Sequence, residues 1–114
     1  MPTYVALIYT ADVDWSDPKY SEMSKDYNEF GEAAAAVLRG GHALYPTSTA
    51  TTVQVRGGKG GDVITTDGPY AETKEALTGF YVLECDDLEA AVAVAARIPA
   101  AWDGSVEVRP VIAY

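Results

Sequence analysis

Apolar residues run almost without interruption through Thr3–Thr10 (TYVALIYT). A short run of β-favouring residues like this predicts a central strand. Beyond the loop ADVDWSDP the period changes. Tyr20, Met23, Tyr27, Phe30, Ala34, Val37 and Leu38 recur at steps of three and four, the spacing that lines one face of a helix. Asp17 offers a capping carboxylate just before it, and Pro18 takes the first position, where a missing N–H does no harm. Gly40 and Gly41 are expected to end this helix.

TATTVQVR then alternates, with Thr51, Val53 and Val55 on one side and Thr52, Gln54 and Arg56 on the other. That is the pattern of a half-exposed strand. RGGKGG (Arg56–Gly61) reads as a flexible hairpin tip, and Asp62–Thr66 as the returning strand. GFYVLEC (Gly79–Cys85) is a second near-continuous apolar strand. In DDLEAAVAVAARIP, Asp86 with Glu89 makes a capping-box-like start, Leu88, Ala91, Val92, Ala95 and Ala96 form the apolar face, and Pro99 closes the helix. SVEVRPV alternates again, as a final strand.

No linker or low-complexity segment divides the chain, so residues 1–114 read as one domain. The order is strand, helix, two hairpin strands, strand, helix, strand. Two β-α-β halves of this kind predict an α+β ferredoxin-like sandwich, an antiparallel sheet with two helices on one face. Tyr4–Tyr9 and Phe80–Leu83 are nevertheless apolar on both faces. Burying one such side chain stabilises by about 1.5–3 kcal/mol. The second face is therefore expected to be covered by the same face of another copy, giving a homodimer.

Charge narrows the partners. Seventeen acidic residues against eight basic ones leave a net charge of −9. Such a surface repels phosphate backbones and anionic lipid, which disfavours nucleic-acid and membrane-surface binding. No apolar run approaches membrane-spanning length, and Tyr4–Tyr9 is too short for the core of a signal peptide. The single cysteine, Cys85, excludes an intrachain disulfide, fits a reducing cytoplasm and reads as a small buried hydrophobe. One histidine and one cysteine are too few for a zinc site, and RGGKGG lacks the spacing of a phosphate loop. Neither metal nor cofactor is expected.

The candidate chemistry lies in TTDGPYAETKEALTGFY (Thr65–Tyr81), where Asp67, Glu72, Lys74 and Glu75 crowd ahead of an apolar strand. An Asp in a turn usually accepts from the N–H two residues on. Here that residue is Pro69, which has none. Asp67 is thus either a turn-maker bonded to Tyr70 N–H or a carboxylate with spare acceptor capacity at a site. Glu72 and Lys74 form either a solvated charged loop or a charge presented to a ligand, Lys74 pairing with Asp67 or Glu72. His42, the only imidazole, reads as a cation near a helix C-terminus or as a proton-transfer group. Tyr20 and Tyr27 belong to the helix stripe. Tyr9, Tyr45, Tyr70 and Tyr81 are candidates to donate a hydrogen bond or stack on a ring. Trp15 and Trp102 fall in loops as candidate interface anchors.

The stretch from TATTVQVRGGKGG through DGPYAETKEALTGFYVLEC to GSVEVRPV resembles the DGPF-type branch of the YCII-related proteins. The likeness is densest from Pro46 to Val111, and its signature is DGPYAETKE, with Tyr70 where the family usually has Phe. The resemblance implies a dimeric α+β barrel. Genes of this branch often neighbour those of extracytoplasmic-function sigma factors, which implies a non-catalytic regulatory partner as an alternative. A more distant relative is a dehydrochlorinase of a chlorinated hydroquinone, and the wider family is thought to use a His–Asp pair. Its histidine is expected near the start of the first helix, but PKYSEMSKDYNEF contains none, so that chemistry does not carry over. The expectation is a small organic molecule bound or transformed near Asp-Gly-Pro-Tyr. Asp67 and His42 are the candidate catalytic groups, and Tyr70, Glu72, Lys74, Tyr9 and Tyr45 the ligand contacts. A cofactor-independent monooxygenase of the same barrel fold is a second alternative, by fold analogy alone.

Overall fold

Alternation decides the first strand. In the computed structural model, which describes residues 1–114, Tyr4, Ala6, Ile8 and Thr10 are buried along β1 (Thr3–Thr10), while Thr3, Val5, Leu7 and Tyr9 are half-buried. The chain continues through α1 (Ser21–Ala33), β2 (Leu38–Ala43), β3 (Thr51–Arg56), β4 (Asp62–Asp67), β5 (Ala76–Glu84), α2 (Leu88–Ala95), the single turn α3 (Ala100–Asp103) and β6 (Ser105–Pro110).

The main sheet has the order β2-β5-β1-β6, with every neighbouring pair antiparallel. β5 thus lies between β1 and β2, and β1 between β5 and β6, so each β-α-β half is split by a strand of the other. This is the ferredoxin-like α+β arrangement. β3 and β4 form a separate two-stranded ribbon inserted between β2 and β5. Both helices pack on the same face. Phe30 and Ala34 from the α1 side and Ala91 and Ala95 from α2 meet Tyr4, Ala6, Ile8 and Leu83 in one core, closed by Ile98 and Ala100. No helix is long and apolar enough to cross a membrane.

Local signals explain most of the ends. Asp17 accepts from Lys19 N–H at 3.0 Å, and Pro18 opens a short 3-10 turn, Pro18–Tyr20, that leads into α1. The cap of α2 falls one residue later than the sequence implies: Asp87, rather than Asp86, accepts from Ala90 N–H at 2.8 Å. The inward face of α2 is also turned. Ala91 and Ala95 are buried, while Leu88 and Val92 are exposed, because small side chains let the helix lie close to the sheet and Ile98, just beyond it, supplies the bulk.

The largest difference is at the end of α1. The apolar stripe continues to Leu38, but the helix stops at Ala33, and Leu38, Gly40, Gly41 and His42 belong to β2. The unpaired edge of β5 takes up the glycines, Gly41 opposite Tyr81 and His42 opposite Phe80. Glycine inside a strand marks a close approach of backbones. A Cβ on Gly41 would stand 2.5 Å from the Phe80 carbonyl oxygen. His42 is therefore a strand residue, and its reading as a cation at a helix C-terminus falls.

Candidate functional site beneath the first helix

The same glycines make a hollow. A cleft of about 290 Å³ opens between the first half of α1, the loop after β1 and the corner of β2 and β5. Register explains its floor: Gly41 lies opposite Tyr81, and Gly79 pairs with both Ala43 and Ile8. Two glycines and an alanine leave the sheet almost bare there. Walls rise around it from Trp15, Tyr20, Met23, Tyr27 and Tyr81. Trp15 meets Tyr20 and Tyr27 edge-on, with centroids 5.5 and 5.9 Å apart. Its indole N–H donates to the Thr78 carbonyl at 3.1 Å, which pins the loop after β1 over the sheet.

The polar groups here are few. The Thr10 and Thr78 hydroxyls lie 3.0 Å apart, and Thr10 also donates to the Ala11 carbonyl. The Tyr27 hydroxyl is covered and has no hydrogen-bond partner. Its pKa is pushed up to about 12, first by burial and then by the neighbouring Tyr81; the Ala100 amide faces it and pulls the other way without completing a hydrogen bond. Burial also raises Tyr81. Both phenols are thus neutral at physiological pH and able to donate. No carboxylate lines the cleft, and no group of His, Cys, Asp and Glu side chains in the chain is arranged to hold a metal ion.

A latch holds the neighbouring loops. Asp12 accepts from Thr47 N–H at 2.9 Å and, through its other oxygen, from the Thr47 hydroxyl. These bonds tie the loop after β1 to the β2–β3 connection and hold the Asp12 carboxyl below its ordinary range.

The residues singled out by the charged segment do not converge on this cleft. Asp67 ends β4, opposite Thr51, and is exposed. Its carboxylate receives no bond from Tyr70 N–H, and Lys74 pairs with neither Asp67 nor Glu72. Glu72 and Lys74 are exposed, as are Tyr45 and Tyr70 at 68% and 83%. Tyr9 lies on the helix-free face of the sheet, opposite Leu77. His42 borders the cleft. Its ring stands on the helix-free face, 5.9 Å from that of Phe80, because Phe80 pairs with Leu7 while the next residue, Tyr81, packs on Phe30 of α1.

The chain is thus a ferredoxin-like α+β protein with an aromatic hollow under its first helix. It belongs to the YCII-related domain family, whose model matches residues 3–114. It is 42% identical over 96 residues to an uncharacterized protein of Rhizobium meliloti (strain 1021), which covers 82% of this chain and 71% of that one.

Proposed function

We propose that this protein binds a small, neutral, aromatic molecule in the cleft beneath α1. One observation carries the reading: a hollow of about 290 Å³, floored by glycines and walled by Trp15, Tyr20, Met23, Tyr27 and Tyr81. Ligand sites are usually apolar hollows of about 300–1,000 Å³ with a few placed polar groups, and this one falls at the small end. A single ring fits within it with room to spare. Tyr27 contributes its ring to the wall, while its hydroxyl is covered.

Charge points the same way. The cleft has no cationic wall to hold an anion, and the chain carries −9 overall. Gly68–Glu75 enters this reading as the connection that delivers β5 to the cleft floor. Asp67 lies outside the lining and is given no chemical step.

Ligand-observed NMR with phenol, indole and benzoate tests the proposal. Phenol and indole are expected to bind wild-type protein and to lose most of their signal with Trp15→Ala. Equal binding to that variant, or binding of benzoate alone, contradicts it.

A further inference from the structure

We infer that Thr78 sets the hydrogen-bond polarity of the cleft, which thereby selects rings that carry a hydrogen-bond donor. Thr78 reaches the cleft through an irregularity in β5. Against β1, Ile8 pairs with Gly79 and Tyr9 with Leu77, which leaves Thr78 as an extra residue between them. Plain alternation would send its side chain to the helix-free face with Phe80. A β-bulge re-aims a side chain. Here Thr78 is buried, and its hydroxyl lies 3.0 Å from that of Thr10, which alternates with Ala6 and Ile8 on the helix-covered face. Thr78 lines the cleft.

Proton counting fixes the direction of each bond. A hydroxyl has one proton to donate and two lone pairs that accept. Thr10 donates its proton to the Ala11 carbonyl at 2.8 Å. The contact between the two hydroxyls is therefore filled by the proton of Thr78. What remains on the Thr78 hydroxyl is acceptor capacity. Its carbonyl is already occupied, by Leu44 N–H at 2.9 Å and the Trp15 indole at 3.1 Å. The phenol of Tyr81, also in the lining, can donate or accept and so does not discriminate between ligands. Thr78 does.

A phenol O–H or an indole N–H extends this chain in one direction, from ligand to Thr78, to Thr10, to the Ala11 carbonyl. An ether or furan oxygen in the same place sets lone pair against lone pair and leaves the Thr78 acceptor unmet. The assignment rests on the binding site proposed above, and adds the ring chemistry that site takes: phenols, indoles and anilines.

Indole and benzofuran test it, being nearly equal in shape and differing in N–H against ring oxygen. Ligand-observed NMR on the whole chain gives both dissociation constants. The affinity ratio of indole to benzofuran is expected to fall about tenfold from wild type to Thr78→Val, which keeps the shape and removes the hydroxyl. Thr78→Ser is expected to retain the wild-type ratio. Thr10→Val releases the Thr78 proton and is expected to lower the ratio although Thr78 is intact, an effect that a packing role for Thr78 would not produce. An unchanged ratio in Thr78→Val overturns the inference and leaves the cleft reading standing. Should that variant fail to fold, an unchanged ratio in Thr10→Val overturns it equally. Failure of wild type to bind either ring removes the cleft reading, and this inference with it.

Discussion

The two faces of the main sheet use the same strands to opposite ends. On one, Leu83 and Ala6 are sealed beneath the helices with no exposure, and a cleft opens over Gly41 and Gly79. On the other, Val82 and Val5, their immediate chain neighbours, stand without a cover of any secondary structure. A continuous apolar strand thus borders two different environments at once: a closed core with a hollow in it, and a face that carries no helix. The difference between the faces comes from helix placement alone, since alternation sends adjacent residues to opposite sides.

The sharpest break in this contrast comes from adjacent truncations in β5. Leu83→Ala, at a fully buried position, is expected to cost about 2–5 kcal/mol in urea unfolding. Val82→Ala should cost much less at high dilution, and its cost should grow with protein concentration if another copy covers that face. Equal costs at all concentrations would erase the distinction.

The glycines of the floor come next. Gly41→Ala puts a Cβ 2.5 Å from the Phe80 carbonyl oxygen and should destabilise by about 1–3 kcal/mol, with exchange of β2 amides rising first. Gly40→Ala meets nothing within 4 Å and should cost less, through its backbone angle alone.

Smaller still is the effect of Tyr27→Phe. Removing a buried hydroxyl that has no partner should leave stability unchanged or slightly higher. The wild-type pKa of about 12 lies above the ordinary value of about 10. The folded state therefore holds this proton more tightly than the unfolded chain does. Its contribution is complete below about pH 10 and is lost as pH rises toward the folded value. Tyr27→Phe should lack that alkaline loss.

The Asp12 latch gives the smallest change, because the carboxylate is exposed. Its folded pKa is lowered by the two Thr47 bonds, so its contribution is present above the unfolded value of about 3.9 and fades as pH falls through the folded one. Asp12→Asn should remove that acid dependence. An unchanged acid titration would show that the latch does not bear on stability.

Much of this fold was legible in the residues. β1, the ribbon, β5 and β6 follow from continuity and alternation, and the ferredoxin-like order follows from their sequence. The strand β2 was not legible, because Leu-Arg-Gly-Gly-His-Ala has neither period. It is a strand because the edge of β5 accepts it, a tertiary cause with no local mark. The cleft was hidden for a related reason. Tyr20, Met23 and Tyr27 sit at core spacing, and only the placement of Gly41 and Gly79 beneath them turns part of a core stripe into a wall. Asp67, Glu72 and Lys74 drew attention because charge clustering is visible along a chain, whereas enclosure arises only between segments.

Amide chemical-shift mapping with phenol tests the central claim most directly. Phenol added to nitrogen-labelled wild-type protein is predicted to shift the Gly41 and Gly79 amides and the Trp15 indole N–H, while leaving the exposed Trp102 indole and Gly68–Glu75 in place. Shifts confined to Gly68–Glu75, or no shift at either glycine under saturating phenol, would contradict the account.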